Sequence, residues 1–419
     1  KKYYEALLAD PGNALFHLTD PRGASDKSGR TFNNPYQYFF EQMHMDDAIY
    51  ADESIYEYPM QQGGGNDGRP YSFGRPSSGG SKAAYPCKSY GQGRINPAYF
   101  YGVFDPNDMR RDVSITMTGS NGKGVEKLIP FVPNSKAEGG GLTLNKWDEN
   151  RQANPWVAAQ RKSGINGPYM RMSEVYLGYA EVCAALGDVV TGKQYLKTVR
   201  ERSFPQGLAN TDAFIASFGN DLVRAIIEER GFEYAGEGDR RWTLIRSGYL
   251  PEDIKRIKDM TKAMMDGLAT KGYYEFENGN IISAYIWTKL VDAKTIYGHR
   301  LTAQCPTDKV NDPVLYPGWR GQKDNWEEMG LNYGSSTPAT NLAIKGLFEI
   351  VSEEEAASLE SQGYTKVNWG IDLVDNRDEY DKYLFWDYDY VSAPIYLWPF
   401  TPNVMAAGGF TNGYGFKQE

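Results

Sequence analysis

ERGFEYAGEGDRRWTLIRSG, residues 229 to 248, sets four carboxylates (Glu229, Glu233, Glu237, Asp239) and four arginines (Arg230, Arg240, Arg241, Arg246) among Phe232, Tyr234 and Trp242. Glu229 and Glu233, like Glu233 and Glu237, stand four positions apart, so on a helix their Cβ atoms lie roughly 6 Å from each other. A retaining glycosidase needs two carboxyls about 5 Å apart across one cleft, with one kept dry enough to hold its proton. Here every carboxylate has an arginine nearby in sequence, and a paired arginine lowers a carboxyl pKa. The stretch therefore reads as an ion-paired helix end, not as an acid–base pair.

Composition narrows the rest. The chain has 419 residues, 41% of them hydrophobic, with a formal net charge of −9. Its mean hydropathy is −0.59, and no apolar run approaches the eighteen or so residues of a spanning helix. No basic stripe exists, so nucleic acid is not an expected partner. The aromatic share is 14%, and 31 Tyr outnumber 18 Phe. Tyrosine has an apolar body and a polar tip, which suits half-wet surfaces that hold sugars or peptides and also suits pinning loops to a scaffold.

Outward from the charged stretch, NDLVRAIIEERGFEYAGEG predicts a helix burying Leu222, Val223, Ile226, Ile227 and Phe232 and ended by Gly236 and Gly238. Upstream, PYMRMSEVYLGYAEVCAALGD puts Met172, Val175, Tyr176, Tyr179, Cys183 and Leu186 on one helical face, with Gly187 as the C-terminal cap. GDVVTG then joins it to a second helix, TGKQYLKTVRERS, whose apolar side is Tyr195, Leu196 and Val199. The pair is tetratricopeptide-like. Near the start, Tyr36, Phe39, Phe40 and Met43 have helical spacing, and Ile55, Tyr56 and Tyr58 look extended. Beyond Leu250 the pattern predicts irregular chain with strands in YYEFENGNIISAYIW, and the prolines of APIYLWPFTPN argue against a helix. The first residues, KKYYEALLADPGN, predict a helix closed by Asp10, Pro11 and Gly12. They carry no initiator Met, signal peptide or lipid-attachment Cys, so a longer protein is expected.

No other chemistry assembles. His17, His44 and His299 lie outside any metal-ligand spacing, and His44 with Asp46 and Asp47 reads as a solvated acidic face. Nucleotide, nucleophile-elbow and phosphate-loop motifs are missing from the sequence, so no catalytic residue, metal or cofactor is expected. Cys183 falls at a core position; Cys87 and Cys305 fall in loops, where paired and free thiols both fit the sequence.

Several stretches together resemble the SusD/RagB family of surface nutrient-binding lipoproteins. Residues 169–188 resemble its R-x-x-E-x-x-L-x-x-A-E-A helix at Arg171, Glu174, Leu177, Ala180 and Glu181. Residues 229–248 resemble its charged signature at Glu229, Arg230, Glu233, Glu237, Gly238, Arg240, Leu244, Arg246 and Gly248. ESIYEYPM at 53–60, DMRRDVSITM at 108–117 and IYLWPFTPN near the end resemble three more family stretches. Gly231 stands where arginine is common, Thr243 where aspartate is usual, and the tail lacks the usual Asn-Pro repeat.

The resemblance implies a mostly α, SusD-like fold with tetratricopeptide-like helix pairs, long loop-rich decorations and few short strands. It implies one domain over 1–419 lacking its N-terminal part. The helical scaffold would be 1–50 and 168–248, the loop-rich ligand-facing region 55–167, and the loop and strand region 250–419. Arg171, Glu174, Glu229, Arg230, Glu233, Glu237, Arg240 and Arg246 would be its structural signature, with Arg240 and Arg246 partly buried and paired with carboxylates such as Glu233 or Glu237. The implied function is non-catalytic: capture of an oligosaccharide and capping of a SusC-like TonB-dependent transporter at the outer-membrane cell surface. The lipid anchor would lie outside this chain. Peptide binding on the same fold and an α-rich glycoside hydrolase are the alternatives.

Family binding residues sit on variable loops, so the ligand site is read from this sequence. Residues 61 to 101 are too aromatic for a linker and too rich in Gly and Pro for a core element. Glycine lets the backbone approach a ligand, and aromatic rings give flat faces to sugars. The candidates are Tyr71, Phe73, Tyr85, Tyr90 and Tyr99, with Asn66 and Arg94 as hydrogen-bond donors. Trp319 and Trp326, on a second aromatic loop, are added if the two loops converge.

Overall fold

The computed structural model describes residues 1–21, 34–45, 51–60, 73–74, 93–120, 126–131, 141–147, 164–292, 340–380, 396, 400–409 and 411. Among these, helices dominate, and each sheet has two or three antiparallel strands.

Helices Met172–Ala185 and Val189–Glu201 fold back on each other, and helix Leu222–Glu233 packs against both. Leu177, Ala180, Leu196, Val199, Leu222, Ala225 and Ile226 fill the space between them. Gly187 turns the chain with φ +84°, as the sequence predicts, and the Asp188 carboxylate caps the second helix by accepting from the Thr191 amide at 3.3 Å. The pair closes backbone to backbone at Gly192, where a Cβ would stand 3.0 Å from the Ala180 carbonyl oxygen and 3.1 Å from the Ala184 nitrogen. Two readings are corrected here. The second helix begins at Val189, not at Thr191. Leu186, expected on the buried face, is 68% exposed because it caps the first helix instead of continuing it.

Helix Pro35–Met45 buries Tyr36, Phe39, Phe40 and Met43 against Val113, Trp287, Leu359 and Tyr364, as its spacing predicts. The opening helix, Lys2–Ala9, stops at Asp10.

The largest correction lies beyond residue 249. Instead of irregular chain, Leu250–Lys271 is a helix of 22 residues. Pro251 occupies its first turn, where a missing N–H costs nothing. Its buried face mixes Leu250, Met264, Met265 and Leu268 with Asp253 and Thr261, so hydropathy alone under-reads it. The strands expected in residues 273–287 do form. Tyr273–Glu275 pairs with Ile281–Ser283, and Tyr285–Asp292 is the centre of a sheet flanked by Thr340–Lys345 and Thr365–Asn368. Phe100, Tyr101, Phe104, Ile115, Phe276, Ile286, Ile344 and Trp369 form the main core with the long helix. Near the end, Pro402 starts a helix, Pro402–Gly408, so one of the tail prolines opens a helix rather than excluding one.

Candidate ligand-binding site

The charged stretch is structural. Arg110, Arg171, Arg200, Arg202 and Lys146 interlock with Glu53, Asp108, Glu229, Glu233 and Glu237, five cations against five carboxylates, none more than 7% exposed at the side chain. Glu233 accepts from Arg110 at 3.0 Å and from Arg171 and Arg202 at 2.5 Å. Burial works to raise its pKa, but Arg202, Arg171 and Arg110 outweigh it and hold the carboxyl well below the ordinary range. Glu237 is lowered in the same way: Arg171 and Lys146 overcome its burial. Burial pulls the Lys146 ammonium down to about 8 against the opposing pull of Glu237. A general acid must keep a proton near neutral pH, and neither Glu233 nor Glu237 does.

Arg230 forms a fork on Glu174 at 3.0 and 2.7 Å and also reaches Asp239 at 2.6 Å. Thr243, standing where the family signature has aspartate, accepts from Arg230 Nε at 3.2 Å and donates to Asp239 at 2.9 Å. It relays the same contact. Arg240 and Arg246 do not pair with Glu233 or Glu237. Arg240 reaches Glu228 at 2.7 Å and Asp253 at 2.8 Å; Arg246 forks onto Glu181 with its side chain 47% exposed. The missing arginine at 231 also has a reason. A Cβ on Gly231 would stand 2.7 Å from Arg240 Nη1, so a bare backbone is what lets Arg240 lie across this helix. Burial would raise the Glu228 carboxyl, yet Arg240 and Arg256 bring it to about 2.

A different surface has the look of a ligand site. Strand Ser54–Tyr58 pairs antiparallel with Gly167–Arg171, and the ladder is irregular at two places. Between Ser54 and Tyr56 the first strand has an extra residue, Ile55; between the partners of Tyr56 and Glu57 the second strand has an extra one, Tyr169. Such bulges re-aim side chains. The two irregularities cancel, because Ser54 opposite Arg171 and Tyr58 opposite Gly167 belong to one register, in which Tyr56 stands opposite Tyr169 on the same face. Tyr56, Tyr58 and Tyr169 thus meet on one outer face. Their ring centroids lie 6.1, 5.7 and 5.2 Å apart, at interplanar angles of 65°, 86° and 89°. They remain 55%, 44% and 64% exposed. A cluster of large rings left in water points to a binding surface. Sequence reading identified Tyr56 and Tyr58 only as extended chain and did not single out Tyr169. The alternation Tyr-Glu-Tyr is a signal that two rings share a face, but the strand that supplies the third ring is distant in sequence.

Of the residues expected to bind ligand, Tyr71, Tyr85, Tyr90, Asn66, Trp319 and Trp326 lie outside the described residues, as do the His44 side chain, Asp46, Asp47, His299, Cys87 and Cys305. Phe73 is 46% exposed. Arg94 is exposed and forms a β-bridge with Thr143. Tyr99 turns inward: its hydroxyl donates to the Gly231 carbonyl at 2.9 Å and its ring stands edge-on to Phe104, so it pins the chain to the signature helix. His17 bonds Asp52 at 2.8 Å, and Cys183 is a buried free thiol. No group of three or more metal-ligating side chains exists among the described residues, and no described helix is long and apolar enough to cross a membrane.

Comparison with known proteins gives this geometry a context. The SusD family model matches residues 16–399. The chain belongs to the SusD family. SusD-like protein P25 of Formosa agariphila is 28% identical over 160 residues, which are 38% of this chain and 26% of that protein. The match thus spans a minor part of that relative. Among solved structures, a SusD homologue of Bacteroides thetaiotaomicron is similar with a TM-score of 0.42 and 17% identity, over 62% of this chain and 52% of that one. Surface glycan-binding protein A of the same organism, solved in complex with laminarihexaose, gives 0.38 and 16%, over 60% and 50%. Four of the five SusD-like stretches quoted from the sequence converge on one place. Residues 53–60 bring Glu53 to the ion cluster, 108–117 bring Asp108 and Arg110, 169–188 bring Arg171, and 229–248 bring Glu229, Glu233 and Glu237.

Proposed function

We propose that this chain is a non-catalytic glycan-binding protein of the cell surface, which captures an oligosaccharide on the Tyr56–Tyr58–Tyr169 face. The observation that carries the reading is that cluster of exposed rings. Sugar rings present C–H faces that stack on aromatic surfaces, while the phenol hydroxyls at the rim can exchange hydrogen bonds with sugar hydroxyls. Membership of the SusD family supports glycan over peptide as the ligand. The loop residues Tyr71, Phe73, Tyr85, Tyr90, Asn66 and Arg94 belong to the same proposal, because residue 61 follows the platform strand by only three positions. Trp319 and Trp326 belong to it if their loop reaches the same face. Lipid anchoring at the outer membrane and delivery to a SusC-like TonB-dependent transporter complete the proposal. Support for a binder over a hydrolase comes from Glu233 and Glu237, which the surrounding cations hold ionised.

An oligosaccharide array followed by calorimetry, with reducing-sugar release assayed on the same panel, tests this. Binding of a soluble oligosaccharide without turnover is expected. Turnover would favour a hydrolase, and capture of peptides in place of sugars would move the ligand class.

A further inference from the structure

A two-stranded ribbon is marginal in water by itself, so rings displayed on one hold their spacing only if something beneath fixes it. The underside of this ribbon is polar, buried and specific. Glu57, between Tyr56 and Tyr58 in sequence, points inward and is 1% exposed; Asn166, just before the partner strand, is 3% exposed. Glu57 Oε2 accepts from Asn166 Nδ2 at 2.9 Å, and Asn166 Oδ1 accepts from the Met60 amide at 2.8 Å. Glu57 Oε1 accepts from the Ala51 amide at 3.0 Å and from the Ser54 hydroxyl. The carboxylate thus fastens the start of its own strand, and Asn166 fastens the residues after its end. At the other end of the ribbon, Ser54 faces Arg171 in register, and Arg171 reaches Glu53 at 2.9 Å inside the ion cluster.

We infer that Glu57 and Asn166 are positioning residues for ligand recognition: their buried hydrogen bond fixes the register that brings Tyr169 onto the face of Tyr56 and Tyr58. The inference rests on the reading of those rings as the glycan site. Neither residue is in reach of a ligand on the outer face, because both are sealed beneath the ribbon. A slip by one residue would send Tyr169 to the other face. The Glu53–Arg171 end supplies rigidity but also belongs to the core cluster, so its variants would not separate display from folding.

The test is a swap. Glu57→Gln sets an amide donor against Asn166 Nδ2 and loses the link. Glu57→Gln combined with Asn166→Asp restores a donor–acceptor pair with the roles exchanged and the net charge unchanged. Asn166→Ala cuts the same link with Glu57 intact, which covers the case in which Glu57→Gln fails to fold. Each protein is measured by amide hydrogen exchange over residues 54–58 and 167–171, by thermal unfolding, and by calorimetry against maltohexaose, cellohexaose, laminarihexaose and xylohexaose.

The single variants are expected to speed ribbon exchange at least tenfold and to weaken the tightest of these sugars at least tenfold, with the global melting temperature nearly unchanged. The swap is expected to restore both. Exchange and affinity unchanged in the single variants would overturn the inference, as would a swap that fails to restore them. Tyr58→Ala separates this from failure of the underlying reading. If Tyr58→Ala binds every sugar as the parent does, the rings are not the site, whereas loss in Tyr58→Ala with full affinity in Asn166→Ala removes only the positioning role.

Discussion

Arg171 Nη1 stands 2.9 Å from Glu53 Oε1, and this pair joins the charged core to the ribbon that carries the tyrosines. Glu53 immediately precedes one strand, and Arg171 ends the other before opening helix Met172–Ala185. The charged stretch at 229–248 therefore acts at a distance. It holds ionised carboxylates for Arg171, and Arg171 holds the end of the ribbon.

Glu233 is the centre of that cluster, so Glu233→Gln should cost about 3–5 kcal/mol by leaving buried arginines uncompensated. The parent has a matching acid limit. Glu233 and Glu237 have folded pKa values below their unfolded ones, so their contribution is complete above the unfolded value of about 4.5 and is lost as pH falls toward the folded values. Urea midpoints between pH 7 and pH 2.5 should drop steeply below about 4.5 in the parent and less steeply in Glu233→Gln. Equal slopes would remove Glu233 from this role.

Lys146 has the opposite sign. Its folded value of about 8 lies below the ordinary 10.5, so between these values the unfolded chain binds more protons and stability rises with pH. The gain is on the order of 2–3 kcal/mol across the window. Denaturation midpoints at pH 7.5 and 9.5 should show a rise in the parent that Lys146→Met lacks. A parent with no rise relative to that variant would mean the ammonium is solvated.

Arg240 and Arg246 should differ. Arg240 bridges the buried Glu228 and Asp253, so Arg240→Ala should cost roughly 3 kcal/mol. Arg246 forks onto Glu181 at the surface, and Arg246→Ala should cost about 0–1 kcal/mol. Chemical denaturation of both variants checks the order, and equal losses would contradict the burial difference.

Gly231 and Arg240 should be coupled. In the parent, Gly231→Ala should destabilise by about 1 kcal/mol, because crowding the pinned guanidinium outweighs the gain in helix propensity. In the Arg240→Ala background the same change should stabilise by about 1 kcal/mol, since only propensity remains. A double-mutant cycle measures this, and simple additivity would show that Arg240 moves aside freely.

Much of the scaffold was legible because its signals are local. Met172, Val175 and Cys183 repeat at helical spacing, Gly187 sits where a cap glycine belongs, and each acid of the signature has an arginine within a few residues. The partners within the cluster were not legible, since Arg110, Lys146 and Arg202 come from elsewhere in the chain. Helix Leu250–Lys271 was missed because Pro251 reads as a break when it is a first-turn residue, and because Thr261 and Asp253 interrupt its apolar face. The tyrosine face was the hardest to see. Tyr56 and Tyr58 announce a strand, but Tyr169 joins them only through a strand pairing that spans more than a hundred residues, as Glu57 and Asn166 meet at a separation of 109.

The most direct test of the account is calorimetry of the parent and of a Tyr56→Ala, Tyr58→Ala, Tyr169→Ala triple variant against the oligosaccharide that the array selects. Each anchor ring should contribute about 2 kcal/mol, so the triple variant should lose measurable binding while its melting temperature stays near the parent's. A triple variant that binds with the parent's affinity would place the ligand elsewhere and contradict the account.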